Sequence, residues 1–100
     1  MSFYALDVGN SDIVFGVMDE DRIRMSCLIK TDRFKTADEY AVIFRNLLMI
    51  HEIEVKELEG GIISSVVPSL KMTMQDAMCS ITHRKSLIVG PGLKSGLKIR

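Results

Sequence analysis

Ala5-Leu6-Asp7-Val8-Gly9-Asn10-Ser11-Asp12 is the stretch on which the fold turns. Apolar Phe3 to Leu6 lead into it and a second apolar run, Ile13 to Met18, leaves it. The acidic, glycine-containing segment therefore reads as the bend between two strands. Asp, Gly, Asn and Ser are common in ordinary hairpin turns. The same residues also carry the chemistry of a phosphate site. Asp7 offers the hard carboxylate oxygen that Mg²⁺ prefers. Gly9 lets a ligand approach the backbone, and Asn10 tolerates a left-handed conformation. The N–H groups of Asn10, Ser11, Asp12 and Ile13, with the Ser11 hydroxyl, can then form an anion-binding concavity. A carboxylate alone would repel a phosphate; a divalent ion between them reverses the sign.

Outward from this bend, strands are predicted over 2–8, 12–18 and 22–30, the last two joined by the polar turn Asp19-Glu20-Asp21. In the third strand Ile23, Met25, Cys27 and Ile29 alternate with Arg22, Arg24, Ser26 and Lys30, which predicts one core face and one wet face. Thr36 with Glu39 three residues later is a capping box. The helix it opens carries Ala37, Tyr40, Ala41, Phe44, Leu47 and Leu48 on one stripe. Residues 52–59 read as a charged linker, and 61–67 as a buried, β-branched strand ended by Pro68. Ser69 is the predicted cap of a second helix, with Leu70, Met74, Ala77, Met78 and Ile81 inward; Leu87-Ile88-Val89 is a short last strand.

The order β-β-β-α-β-α-β is the α/β, ribonuclease-H-like plan of actin-like ATPases and sugar kinases. It predicts a mixed five-stranded sheet with flanking helices. In that plan the first hairpin wraps nucleotide phosphates, so strand order and opening motif agree.

One hundred residues make one domain, and 47% hydrophobic with 26% charged residues excludes a disordered chain. Thirteen basic and thirteen acidic residues cancel, which argues against nucleic acid or an anionic membrane as partner. No apolar run has the length of a membrane span, and Asp7 interrupts any secretory signal. Cys27 and Cys79 lack metal-ligand spacing and read as core or half-buried thiols, consistent with a cytoplasmic location.

Other motifs are weaker. Gly90-Pro91-Gly92-Leu93-Lys94-Ser95-Gly96 resembles a P-loop, but Leu93 stands where glycine must precede the lysine. Lying after a strand, at the edge where α/β sheets place ligands, Gly92, Lys94, Ser95 and Gly96 remain candidates for a substrate-side loop. His51 and the His83-Arg84-Lys85 cluster read as structural helix ends. Thr31-Asp32-Arg33-Phe34-Lys35 is either a surface turn or a contact edge. No Ser-His-Asp or Cys-His nucleophile pattern is present.

Four blocks together resemble the N-terminal part of the type III pantothenate kinases: Asp7-Val8-Gly9-Asn10-Ser11; Thr31-Asp32-Arg33 with Thr36-Ala37-Asp38-Glu39-Tyr40; 62–68; and 89–97. Ser11 and Ser95 stand where that family commonly has threonine, each keeping its hydroxyl. The resemblance implies ATP-dependent phosphorylation of pantothenate, the first step toward coenzyme A. It implies ATP, Mg²⁺ and a monovalent cation (K⁺ or NH₄⁺), and a homodimer with its pantothenate site near the subunit interface. By the same resemblance Asp7 organises the metal, while the segment from Asp7 to Val14 wraps the phosphates. The Gly-Ala-Asp-Arg segment that would supply the general-base carboxylate is expected beyond Arg100, with a second domain, so residues 1–100 alone are expected to be inactive. The competing expectation is a non-catalytic module of the same fold acting through protein association.

Overall fold

The computed structural model describes residues 1–90 of the chain. Three strands come first, β1 (Ser2–Val8), β2 (Asp12–Asp19) and β3 (Arg22–Lys30). Helix α1 (Ala37–Ile50), a 3₁₀ turn (Val55–Glu57), β4 (Leu58–Ser65), α2 (Pro68–Thr82) and β5 (Leu87–Val89) follow. The five strands form one sheet in the order β3-β2-β1-β4-β5. β1–β2 and β2–β3 are antiparallel, while β1–β4 and β4–β5 are parallel. This is the mixed, ribonuclease-H-like sheet that the order of elements predicts.

The capping box at α1 forms in both directions. The Glu39 amide donates to Thr36 Oγ1 at 3.2 Å, and the Thr36 amide donates to Glu39 Oε1 at 2.8 Å. The helix then buries Tyr40, Phe44 and Leu48, with Ala37, Ala41 and Leu47 packed at the margin. Phe44 lies 4.8 Å from the Phe15 ring and is stacked on Tyr40 at 5.8 Å. Each fully buried aromatic contributes roughly 1.5–3 kcal/mol by leaving water.

Two predicted boundaries move. Val67, not Ser69, caps α2, and Pro68 occupies the first helical position. Proline suits that place because its φ is already helical and its missing N–H has no partner to lose. β4 begins at Leu58 and ends at Ser65, instead of spanning 61–67. Leu58 is buried and pairs with Ser2, so the predicted charged linker contains the start of a strand. The strand stops where Ser65 Oγ donates to the Val67 carbonyl (2.8 Å) and accepts from the Val67 amide (3.0 Å).

Side chains alternate across the sheet, and both helices contribute to the core on one face. Tyr4, Leu6 and Val8 of β1, Ile13, Phe15 and Val17 of β2 and Ile63 of β4 meet Phe44, Leu70, Met74 and Met78 there. Register places Asp7, Val14, Leu28, Ser64 and Val89 in one row on the opposite face. Phe3, Met18, Ile23, Leu28 and Leu87 are exposed on that face.

Ile23 is a correction to the predicted alternation. The register of β3 slips so that Met25 pairs with Val17 and Ile23 with Met18, leaving Arg24 as the extra residue of a bulge. The slip turns Ile23 out to 69% exposure while Met25 stays buried. Arg24 reaches the end of β1 and the 3₁₀ turn, donating to Ser2 Oγ at 2.9 Å and Glu57 Oε1 at 2.6 Å.

At the other side of the core the Tyr4 ring lies flat over Gly61, where any Cβ would overlap it. The Tyr4 hydroxyl bonds Ser86, whose backbone is held in turn by the Gln75 side chain (2.7 and 3.0 Å). Burial pushes the Tyr4 phenol above its ordinary pKa. Both cysteines are half-buried free thiols, as expected, and burial pushes Cys27 up.

Candidate functional site

β1 ends and β2 begins at the predicted bend. The Gly9 amide donates to the Asp12 carbonyl at 2.9 Å, which closes the turn. A Cβ on Gly9 would lie 3.2 Å from that same oxygen, a tight approach that glycine avoids. The expected left-handed residue does not occur: among the described residues, positive φ is confined to Glu20, Glu52 and His83. The turn is closed by this hydrogen bond of ordinary length, with Asn10 outside the left-handed region.

Val8 and Ile13 flank the turn with their side chains fully buried in the core, so only their backbone can face a ligand. Asn10 and Ser11 are exposed at the tip, Asp7, Gly9 and Asp12 are half-buried, and Val14 is exposed beside Asp7. Among the described residues, the Asn10 and Ser11 amides enter no backbone hydrogen bond. Both residues are exposed, so their N–H groups and the Ser11 hydroxyl are available at the tip as donors for an anion.

A second loop clamps this turn, which the sequence left open between a surface turn and a contact edge. Thr31 Oγ1 donates to the Gly9 carbonyl at 2.8 Å, and the Thr31 amide donates to the Ser11 carbonyl at 2.9 Å. Arg33 donates to Asn10 Oδ1 at 2.9 Å. The loop itself is tied to the core by the Tyr40 hydroxyl, which accepts from the Asp32 amide (2.8 Å) and donates to the Asp32 carbonyl (2.7 Å). Asp32 Oδ1 also accepts from the Phe34 amide. Turn, loop and helix thus form one hydrogen-bonded unit, which no local pattern in the sequence announces because its contacts join segments far apart in the chain.

Asp7 sits one residue before the end of β1, and its register partners are Val14 on β2 and Ser64 on β4. β1, β4 and β5 are parallel, so their C-terminal ends share an edge, the edge where open α/β sheets bind ligands. Gly90 leaves β5 at that edge. The predicted substrate-side residues Gly92, Lys94, Ser95 and Gly96 lie outside the described residues. Ser64 is buried, and its hydroxyl has no hydrogen-bond partner among the described residues. Burying a hydroxyl unpaired costs about 1–3 kcal/mol.

Among the described residues no three His, Cys, Asp or Glu side chains converge as a ready-made metal cage. Mg²⁺ does not need one: it is commonly held by one or two carboxylates with phosphate oxygens and water. The Asp7 carboxylate beside a turn without a Cβ at Gly9 fits that requirement. The histidines stand apart from this site, as expected. His51 and His83 are helix C-caps, and His51 Nε2 lies 3.5 Å from Cys27 Sγ. His83 also lines a cavity of about 460 Å³ between α1 and α2 with Arg45, Asn46 and Ser80, containing none of the turn residues.

A ROK hexokinase from Thermus thermophilus superposes with a TM-score of 0.67 at 16% identity, covering 90% of this chain and 34% of the hexokinase. That likeness is one of fold. A type III pantothenate kinase of Geobacillus sp. (strain WCH70) is 41% identical over 97 residues, covering 97% of this chain and 38% of the relative. Another, from Moorella thermoacetica, is 36% identical over 96 residues, covering 96% and 38%. This chain therefore spans less than half the length of the curated relatives it matches. The family model described as "Type III pantothenate kinase" matches residues 3–100, and the chain belongs to that family.

Proposed function

We propose that the bend between β1 and β2 is the phosphate grip of an ATP-dependent kinase that converts pantothenate to 4'-phosphopantothenate, the first step toward coenzyme A. The observation that carries this reading is the Gly9 turn. It is closed on the Asp12 carbonyl, would crowd even a methyl group at Gly9, and lies next to Asp7, in a chain of this family. Phosphoryl transfer asks the protein for positioning and charge stabilisation more than for covalent chemistry. The Asn10 and Ser11 amides and the Ser11 hydroxyl would hold phosphate oxygens. Asp7 would hold Mg²⁺, which when bound supplies neutralisation of phosphate charge.

The remaining parts of this reading rest on the family resemblance. Residues 1–100 are the N-terminal phosphate-binding domain in this reading. The carboxylate that accepts the substrate proton would belong to a Gly-Ala-Asp-Arg segment after Arg100, so residues 1–100 alone would not turn over. The loop with Gly92, Lys94, Ser95 and Gly96 approaches the substrate. A monovalent cation, K⁺ or NH₄⁺, assists, and the working form is a cytoplasmic homodimer. The test is Asp7→Asn in the natural polypeptide that carries this sequence, read as pantothenate-dependent ADP release. Turnover should fall on the order of 10²-fold, as for other lost electrostatic stabilisers. Near-normal turnover would remove Asp7 from the reaction.

A further inference from the structure

We propose that the Ser64 hydroxyl is a second protein group of the metal–phosphate site, a positioning residue that hydrogen-bonds a metal-bound water beside Asp7. This rests on the kinase reading above and adds a residue to it. Ser64 is 4% exposed, and its Oγ is the buried side-chain oxygen or nitrogen left without a partner among the described residues. The next residue shows that this is no general property of the strand. Ser65 is equally buried, yet its hydroxyl both donates to and accepts from Val67.

The position of Ser64 points to what its hydroxyl is for. Parallel register sets Ser64 directly across from Asp7, and alternation puts both on the face turned away from the helix-covered core. Adjacent strands are about 4.8 Å apart, so groups from two register partners can share one small ligand between them. Asp7's other register partner, Val14, has no polar side-chain atom, which leaves Ser64 as the polar neighbour across the ladder. Beyond Ser64 the row ends in Val89, again apolar. β4 is otherwise built from apolar and small residues at this level, Ile62 and Ile63 preceding the serine. A valine or alanine would fill the site without an unpaired oxygen. A serine hydroxyl, able to donate and accept at once, matches a water that is itself bound to a cation. Groups that orient a metal's inner ligands in this way govern affinity for the metal as strongly as some direct ligands do.

The experiment uses the natural polypeptide that carries this sequence and titrates Mn²⁺, as a spectroscopic substitute for Mg²⁺, in the presence of ADP. Free Mn²⁺ is followed by electron paramagnetic resonance. Ser64→Ala should weaken Mn²⁺ binding about tenfold, the lower end of what loss of such a supporting group costs. In metal-free buffer the same variant should melt at or above the wild-type temperature, because the change removes a buried hydroxyl that has no partner among the described residues. Titrations that superimpose would overturn the assignment. So would a variant that melts several degrees lower without metal, since Ser64 would then have a structural partner. Wild-type protein that binds ADP with no dependence on Mn²⁺ would instead overturn the kinase reading, and this proposal with it.

Discussion

The Thr31 hydroxyl donates to the Gly9 carbonyl at 2.8 Å, so the β1–β2 turn is held in place by a loop that follows it by two strands. The bond is part-buried and is reinforced by the Thr31 amide on Ser11. Thr31→Val keeps the shape and removes the donor. It should cost about 1 kcal/mol of stability, the usual net worth of such a bond. Nucleotide affinity should fall several-fold as well, and Thr31→Ser should restore both. Urea unfolding with a parallel ADP titration checks this; affinity unchanged in Thr31→Val would show that the turn holds its shape unaided.

Gly9→Ala tests the turn itself. The new methyl would meet the Asp12 carbonyl at 3.2 Å, close enough to force the backbone open by a few tenths of an ångström. Because the turn's φ is not left-handed, alanine is not excluded by backbone strain. Stability should therefore drop by only about 1 kcal/mol, at the low end of overpacking costs. Turnover in the natural polypeptide should drop on the order of tenfold or more, since small misplacements of reacting groups are costly. Equal losses in folding and turnover would argue for a purely structural glycine.

Gly61→Ala should be the more damaging of the two for folding. Its Cβ would overlap the Tyr4 ring, which cannot move without giving up the hydroxyl bond to Ser86. The expected loss is about 3 kcal/mol, the upper end for an overfilled core. With no tryptophan and two tyrosines in the chain, tyrosine fluorescence during urea unfolding reports it directly. A loss under about 1 kcal/mol, within the range of well-tolerated core swaps, would mean that the ring has room to tilt.

The Arg24–Glu57 contact gives a pH signature. The Arg24 guanidinium, and after it the Glu54 backbone, hold the Glu57 carboxyl below its ordinary pKa. A group with a lowered native pKa binds fewer protons folded than unfolded, so its contribution is present above the ordinary carboxylate range and fades as pH falls through the lowered value. Thermal melts of wild type and Glu57→Gln should differ at neutral pH and converge in acid. Curves that stay parallel from pH 7 to 3 would rule this contribution out.

Much of this architecture was legible in the sequence because several signals coincide. Thr36 and Glu39 mark a helix start that forms as a reciprocal cap, and the Tyr40, Phe44, Leu48 stripe is buried as its spacing requires. The three opening strands fall almost where alternation puts them. What failed was decided between strands. Ile23 has the right parity for the core, but the bulge at Arg24 reverses that parity, and a bulge depends on the partner strand's register. Leu58 starts β4 because Ser2 is there to pair with it, which no local pattern among 52–59 announces. At the site, Asp7, Gly9 and Ser11 were visible as a motif. The Thr31 clamp and the buried Ser64 hydroxyl were not, since both are contacts between segments far apart in the chain.

The Tyr40 phenol spans two worlds: its ring belongs to the oily interior and its oxygen grips the Asp32 backbone next to Thr31. Loosening the interior near Phe44 and Phe15 would therefore slacken the Asp32 backbone and, through Thr31, the β1–β2 turn. The firmness of the interior and the shape of that surface turn thus depend on the same few rings.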